Sequence, residues 1–155
     1  MKSVVRSCSV PLAVLCFCIL VPAQEKKINR DQLPAVVEKT VARESEGATI
    51  TGFAKEIEHG KTFYEASLVI NGHRREILID TNGNVVEIEE QVSLDSLPPA
   101  VQQALTKAAG TGTIQNIESL TKQGNLVAYE AHVKHGRKRS EIQIGPNGEK
   151  LKRPE

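Results

Sequence analysis

The run Asp80-Thr81-Asn82-Gly83-Asn84 begins like a calcium loop, in which oxygen ligands alternate around a sharp glycine turn. The bidentate glutamate that should close such a loop is missing at the required distance, and Val85, Val86 and Ile88 read as strand, so the run is expected to be a hairpin turn. His132 and His135 stand three residues apart. On a helix that spacing would aim two imidazoles at one metal ion, but on a strand it sends them to opposite faces. They flank an expected hairpin and read as solvated or half-buried histidines, while His59 and His73 are isolated. No metal ligand set and no cofactor is expected. Glu65 with Glu76, and Glu130 with Glu141, are placed to meet across neighbouring strands. General acid chemistry would require one carboxyl of each pair to be desolvated and raised in pKa. With arginine and lysine nearby and an open sheet face expected, they read as surface pairs. None of Ser45, Ser67, Ser93, Ser96, Ser119 or Ser140 lies in a Gly-x-Ser-x-Gly elbow. The set of catalytic residues is therefore empty, and the chain is expected not to be an enzyme.

Binding is the chemistry left. His73-Arg74-Arg75 and His135-Gly136-Arg137-Lys138-Arg139 follow the same hairpin in two parts of the chain. Such basic tips guard a sheet edge against aggregation, or hold an acidic partner by charge complementarity. The second candidate surface is the polar face of the strands, carrying Glu65, Ser67, Glu76, Glu130, His132, Lys134 and Glu141.

Other properties narrow the setting. Met1 to Ala23 has a basic start, an apolar run from Val10 to Val21 and compact residues before Gln24, the pattern of a secretory signal cleaved after Ala23. The apolar run is shorter than the ~20 residues a membrane span needs, so no stable membrane insertion is expected after cleavage. All 3 cysteines, Cys8, Cys16 and Cys18, fall inside that segment, which removes disulfide and thiolate chemistry from the rest. The 20 basic and 19 acidic side chains nearly balance, and losing Lys2 and Arg6 tips the sum slightly negative, so nucleic acid is not an expected partner.

The elements that must position these residues come in two copies. At a spacing of 64, Asp31, Leu33, Pro34, Val37, Ile50 and Gly60 meet Asp95, Leu97, Pro98, Val101, Ile114 and Gly124. At 65, Tyr64-Glu65-Ala66 meets Tyr129-Glu130-Ala131, Glu76-Ile77 meets Glu141-Ile142, and Asn82-Gly83 meets Asn147-Gly148. Each copy opens on a helix, capped by Asp31 or Asp95 with Pro34 or Pro98 in its first turn, and continues as period-two segments joined by tight turns. What recurs is mostly backbone chemistry, the turn glycines and strand residues of a scaffold. The polar residues between them mostly differ.

The Leu-Pro-x-x-Val helix start, the Tyr-Glu-Ala strand, the Glu-Ile strand and the terminal Asn-Gly turn, in that order and twice, resemble tandem PepSY-like domains, in particular the family related to the β-lactamase inhibitor protein. The resemblance spans about Ile28 to Leu151 and implies an exported binding or inhibitory module, often linked to peptidases. The expected fold is α+β: two tandem repeats, residues 28–90 and 93–152, each one helix on an antiparallel meander of three to four strands, joined into one curved sheet with both helices on the same side. The expected function is a non-catalytic, secreted or periplasmic protein-binding module that modulates or inhibits a peptidase. The alternative is an envelope sensor or carrier for a metal ion or small ligand.

Overall fold

Period-two alternation in this chain produces a single sheet. The computed structural model describes residues 24–151 and 155; the expected signal peptide and Lys152 lie outside them. Strands β1 (Gln24–Ile28), β2 (Thr49–Glu58), β3 (Lys61–Ile70), β4 (His73–Asp80), β5 (Val85–Gln91), β6 (Thr113–Lys122), β7 (Asn125–His135) and β8 (Lys138–Ile144) pair in sequence order, all antiparallel, into one 8-stranded sheet. Helix α1 (Ala35–Glu44) connects β1 to β2, and α2 (Pro99–Ala109) connects β5 to β6. No helix among the described residues is long and apolar enough to cross a membrane.

This corrects the expected fold class. Two tandem helix-on-meander repeats do not form. β5 and β6 pair from Glu87↔Lys122 to Gln91↔Glu118, so the two halves share one ladder. β1, which carries no period-two apolar signal, extends the sheet beyond the expected start. The physical reason is area: a unit of about 60 residues buries too little surface to stand alone and leaves a bare edge strand.

The helices form because apolar residues return to one side. Val37, Thr40 and Val41 are the buried residues of α1, and Val101, Leu105 and Ala109 those of α2. α1 packs on Ala66, Leu68, Ile77 and Ile79; α2 packs on Ile117, Ala131, Val133 and Ile144. Register carries one parity across the seam, with Ile77 opposite Ile88 and Ile88 opposite Thr121, so both helices lie on one face of the sheet. Fully buried side chains such as Leu105, Ile79 and Val101 each contribute about 1.5–3 kcal/mol. The expected aspartate caps are not made. Asp31 and Asp95 sit in 3-10 turns, Arg30–Gln32 and Leu94–Ser96, and the N-cap positions are Pro34 and Pro98, whose side chains make no cap. Arg30 instead braces the first turn, its guanidinium donating to Glu38 Oε1 at 2.7 Å.

The recurring Asn-Gly turns dock the helices. Gly83 has φ +83°, and a Cβ there would lie 2.8 Å from Val36 Cγ2; its carbonyl accepts from Thr40 Oγ1 at 2.7 Å. Gly148, at φ +87°, would clash in the same way with the Ala100 backbone at 2.8 Å. Glycine is required at both places because the helix backbone comes too close for any side chain.

Candidate functional site

With both helices on one face, the other face of the sheet is lined by side chains of the opposite parity. Rows run across it: Ser67, Glu76, Glu89 and Leu120; then Glu65, Leu78, Glu87 and Lys122; then Gln91, Glu118, Glu130 and Gln143; then Asn116, His132 and Glu141. A hollow of about 220 Å³ is lined by Glu56, Glu58, Glu65, Glu76, Glu87 and Glu89 with Leu78. A larger one, about 730 Å³, opens towards β8 and is lined by residues that include Arg74, Glu76, Glu89, Asn116, Glu118 and His132. A third hollow, about 700 Å³ at the β1 edge, is lined by residues that include Glu25, Lys26, Ile28, Lys55, Ile57 and Tyr64, with two lysines to one carboxylate.

The carboxyls of the face largely lack cationic partners. Lys122 Nζ lies 3.4 Å from Glu87 and an Arg74 amine 3.8 Å from Glu118, but among the described residues no ion pair forms with Glu56, Glu65, Glu76 or Glu89. Burial first, then a hydrogen bond and repulsion from Glu65, pushes the Glu56 carboxyl up to about 8. Burial, followed by repulsion from Glu118, Glu87, Glu76 and Glu130, pushes Glu89 up to about 8. Its cross-strand partner Leu120 is buried and offers nothing to solvate a charge. Glu76 is raised for the same reasons, burial ahead of repulsion from Glu65.

The residues expected to bind are gathered in part. Glu65, Ser67, Glu76, Glu130, His132, Lys134 and Glu141 share the uncovered face, with Arg74 and Arg139 at its rim. Glu65 and Glu76 are diagonal rather than opposite, since Glu65 faces Leu78 and Glu76 faces Ser67. Arg75 stands apart: it lies opposite Leu68 and Glu90 on the helix side, and its Nε is buried with no hydrogen-bond partner. Arg137 and Lys138 sit at the β7–β8 turn, at the same end of the sheet as the β3–β4 turn. The Asp80 loop forms a hairpin turn. Its carboxylate accepts from the Asn82 and Asn84 backbone at 2.9 and 2.8 Å and from the Asn84 side chain at 3.0 Å, bonds led by the last that hold it below its usual pKa. In the second copy Glu149 plays this part from the other end of the turn, accepting from Asn147 N at 2.9 Å.

Glu56, Glu89, Asn116 and Glu118 belong to the face and were not anticipated. Alternation along β2 and β5 could have indicated Glu56 and Glu89. Asn116 could not be found in that way, because the β6–β7 register shifts between Ile114 and Asn116, turning Ile114 towards Val133 and Asn116 towards His132.

The second basic strand edge leads to a tight cluster. His132 Nε2 lies 3.1 Å from Glu118 Oε2 and 3.4 Å from Glu130 Oε1, and its Nδ1 lies 3.7 Å from Glu141 Oε1. Asn116 Nδ2 donates to Glu118 Oε1 at 2.6 Å, and Gln143 Nε2 donates to Glu130 Oε2 at 2.6 Å. Ser67 Oγ donates to Glu65 Oε1 at 2.8 Å.

Neither a protein-family model nor a curated protein matches the sequence. Solved structures do. A BLIP-like protein from Bacteroides fragilis is 20% identical with a TM-score of 0.58, the match covering 76% of this chain and 82% of that one. DUF2874 family proteins from Bacteroides ovatus (22% identical, TM-score 0.61, 77% and 84% covered) and Bacteroides uniformis (21%, 0.62, 77% and 86%) are similar to the same extent. At these identities the likeness concerns the fold, and the fold of this chain is BLIP-like.

Proposed function

We propose that the chain is an exported, non-catalytic protein-binding module that holds a basic segment of its partner on the glutamate-lined face of the sheet. The observation that carries this reading is the set Glu56, Glu65, Glu76 and Glu89, which share a solvent-open hollow and, among the described residues, form no ion pair. A lysine or arginine entering it would favour the ionised form of carboxyls that burial and their neighbours otherwise keep protonated, so binding is coupled to release of a proton. The sign of the partner follows from this: the centre selects positive charge, and the basic tips at Arg74 and Arg137 to Arg139 keep it from the rim. Export is supported by the signal pattern of residues 1–23. Modulation of an exported peptidase is supported by the PepSY-like sequence resemblance together with the BLIP-like fold.

The test is fluorescence anisotropy with a lysine-rich and a glutamate-rich peptide at low and moderate salt. The lysine-rich peptide is expected to bind, to weaken with salt, and to weaken at least about tenfold in the Glu65→Gln, Glu76→Gln double variant. Preference for the glutamate-rich peptide, lost on Arg137→Gln with Arg139→Gln, would reverse the assignment. Adding the chain to exported peptidases and following their rates tests the modulating role.

A further inference from the structure

At the β8 end of the same face, we propose that Glu118 Oε2, Glu130 Oε1 and His132 Nε2 form a binding site for a divalent transition ion of the zinc type. The three atoms lie within 4.8 Å of one another, and the two distances from the imidazole nitrogen are 3.1 and 3.4 Å. Bonds of about 2.0–2.2 Å in a tetrahedral shell place neighbouring ligand atoms about 3.3–3.6 Å apart, close to the spacing of the imidazole nitrogen from both carboxylate oxygens. The donor set of one imidazole and two carboxylates leaves a fourth position open, the composition of sites where zinc keeps a water or meets an outside ligand.

The surroundings of the three groups argue for a built site. Each carboxylate presents one oxygen to the centre while a neighbouring amide engages the other. The Asn116 amide holds Glu118 Oε1, the Gln143 amide holds Glu130 Oε2, and Glu141 faces His132 Nδ1 at 3.7 Å. Amide partners on the ligating carboxylates are the kind of outer arrangement that orients metal ligands. Asn116 adds an independent observation. Asn116 Oδ1 is buried with no hydrogen-bond partner, although the same side chain lines the hollow with Glu118 and His132. An unmatched buried oxygen is costly, and a water carried in by an ion would supply its missing donor. Calcium fits less well, because it takes six to eight oxygens and a nitrogen stands at the centre here.

The site lies on strands that pair without it, so variants can be read without loss of the fold. Untagged chain is titrated with Zn²⁺ by calorimetry, with Ca²⁺ and Mg²⁺ as comparisons, and Co²⁺ is added to follow the visible bands of four-coordinate cobalt. Zn²⁺ binding at one ion per chain is expected, with Ca²⁺ and Mg²⁺ far weaker. His132→Ala and Glu130→Gln should abolish binding, and Asn116→Ala should weaken it by about tenfold. His59→Ala, His73→Ala and His135→Ala should leave it unchanged. Absence of zinc binding overturns the proposal, as does binding that survives His132→Ala. The peptide assay above uses Glu65 and Glu76, so either reading can fail alone.

Discussion

Glu89→Gln should stabilise the protein in alkali and leave it nearly unchanged in acid. Burial lifts the Glu89 carboxyl from 4.5 to about 8, so between those values the folded chain holds a proton that the unfolded chain has released. Stability therefore is full below about pH 4.5 and declines as pH rises through about 8, because folding must disfavour the charged form. At 1.36 kcal/mol for each tenfold change, the full displacement bounds the penalty at about 5 kcal/mol. The face is open to water on one side, and screening there brings the expected value to about 2 kcal/mol. Glutamine resembles the protonated acid in shape and carries no such penalty. Urea unfolding at pH 5 and pH 9 should show wild type and Glu89→Gln within about 0.5 kcal/mol of each other at the lower pH, and the variant ahead by about 2 kcal/mol at the higher. Equal curves at both values, or a variant weaker in alkali, would refute the claim that Leu120 and the neighbouring glutamates desolvate and repel this group.

Gly83→Ala should cost about 2–4 kcal/mol, since φ +83° is strained for alanine and its Cβ would press on Val36, whereas Gly60→Ala, at φ +77° in open space, should cost about 1 kcal/mol. Thr40→Val strands the Gly83 carbonyl beneath α1 and should cost about 1–3 kcal/mol by the same urea assay. Leu105→Ala, at a site with no exposed surface, should cost about 2–5 kcal/mol, while Leu126→Ala, at a side chain 39% exposed, should stay within about 0.5 kcal/mol. Glu56→Gln should repeat the alkaline gain of Glu89→Gln in thermal melts, because burial and Glu65 raise both its pKa and the cost of its charge.

Local chemistry was well written into the sequence and long-range pairing was not. Asn82-Gly83 and Asn147-Gly148 announced turns, and Val37 with Val41, or Val101 with Leu105, announced helix faces. β1 escaped notice because Gln24 to Ile28 has charges at three of its positions and joins the sheet as an edge, held by backbone bonds to β2. Which strands join the halves in one ladder is not written locally, because β5 and β6 are separated by α2 and no periodicity within either strand names the partner across a helix. Glu89 and Glu118 come near each other through that ladder, so the most crowded charge on the face could not be read locally. Arg75 alternates in step with Ile77, so the period of β4 sets it on the helix side and apart from the basic tip. The register shifts at Ile50/Gly52 and Ile114/Asn116 reverse the alternation midway along β2 and β6, which is why Asn116 reaches His132.

A sheet whose strands neighbour one another in chain order has a kinetic consequence. Most ladders here close through turns of a few residues, and the β1–β2 and β5–β6 pairings must wait for a helix to be laid down between their strands. Such low separation between contacting residues favours rapid assembly for a protein so rich in strands. The two hairpin runs, β2 to β5 and β6 to β8, can zip early, and their meeting along β5 and β6 becomes the step that decides how fast the native chain appears.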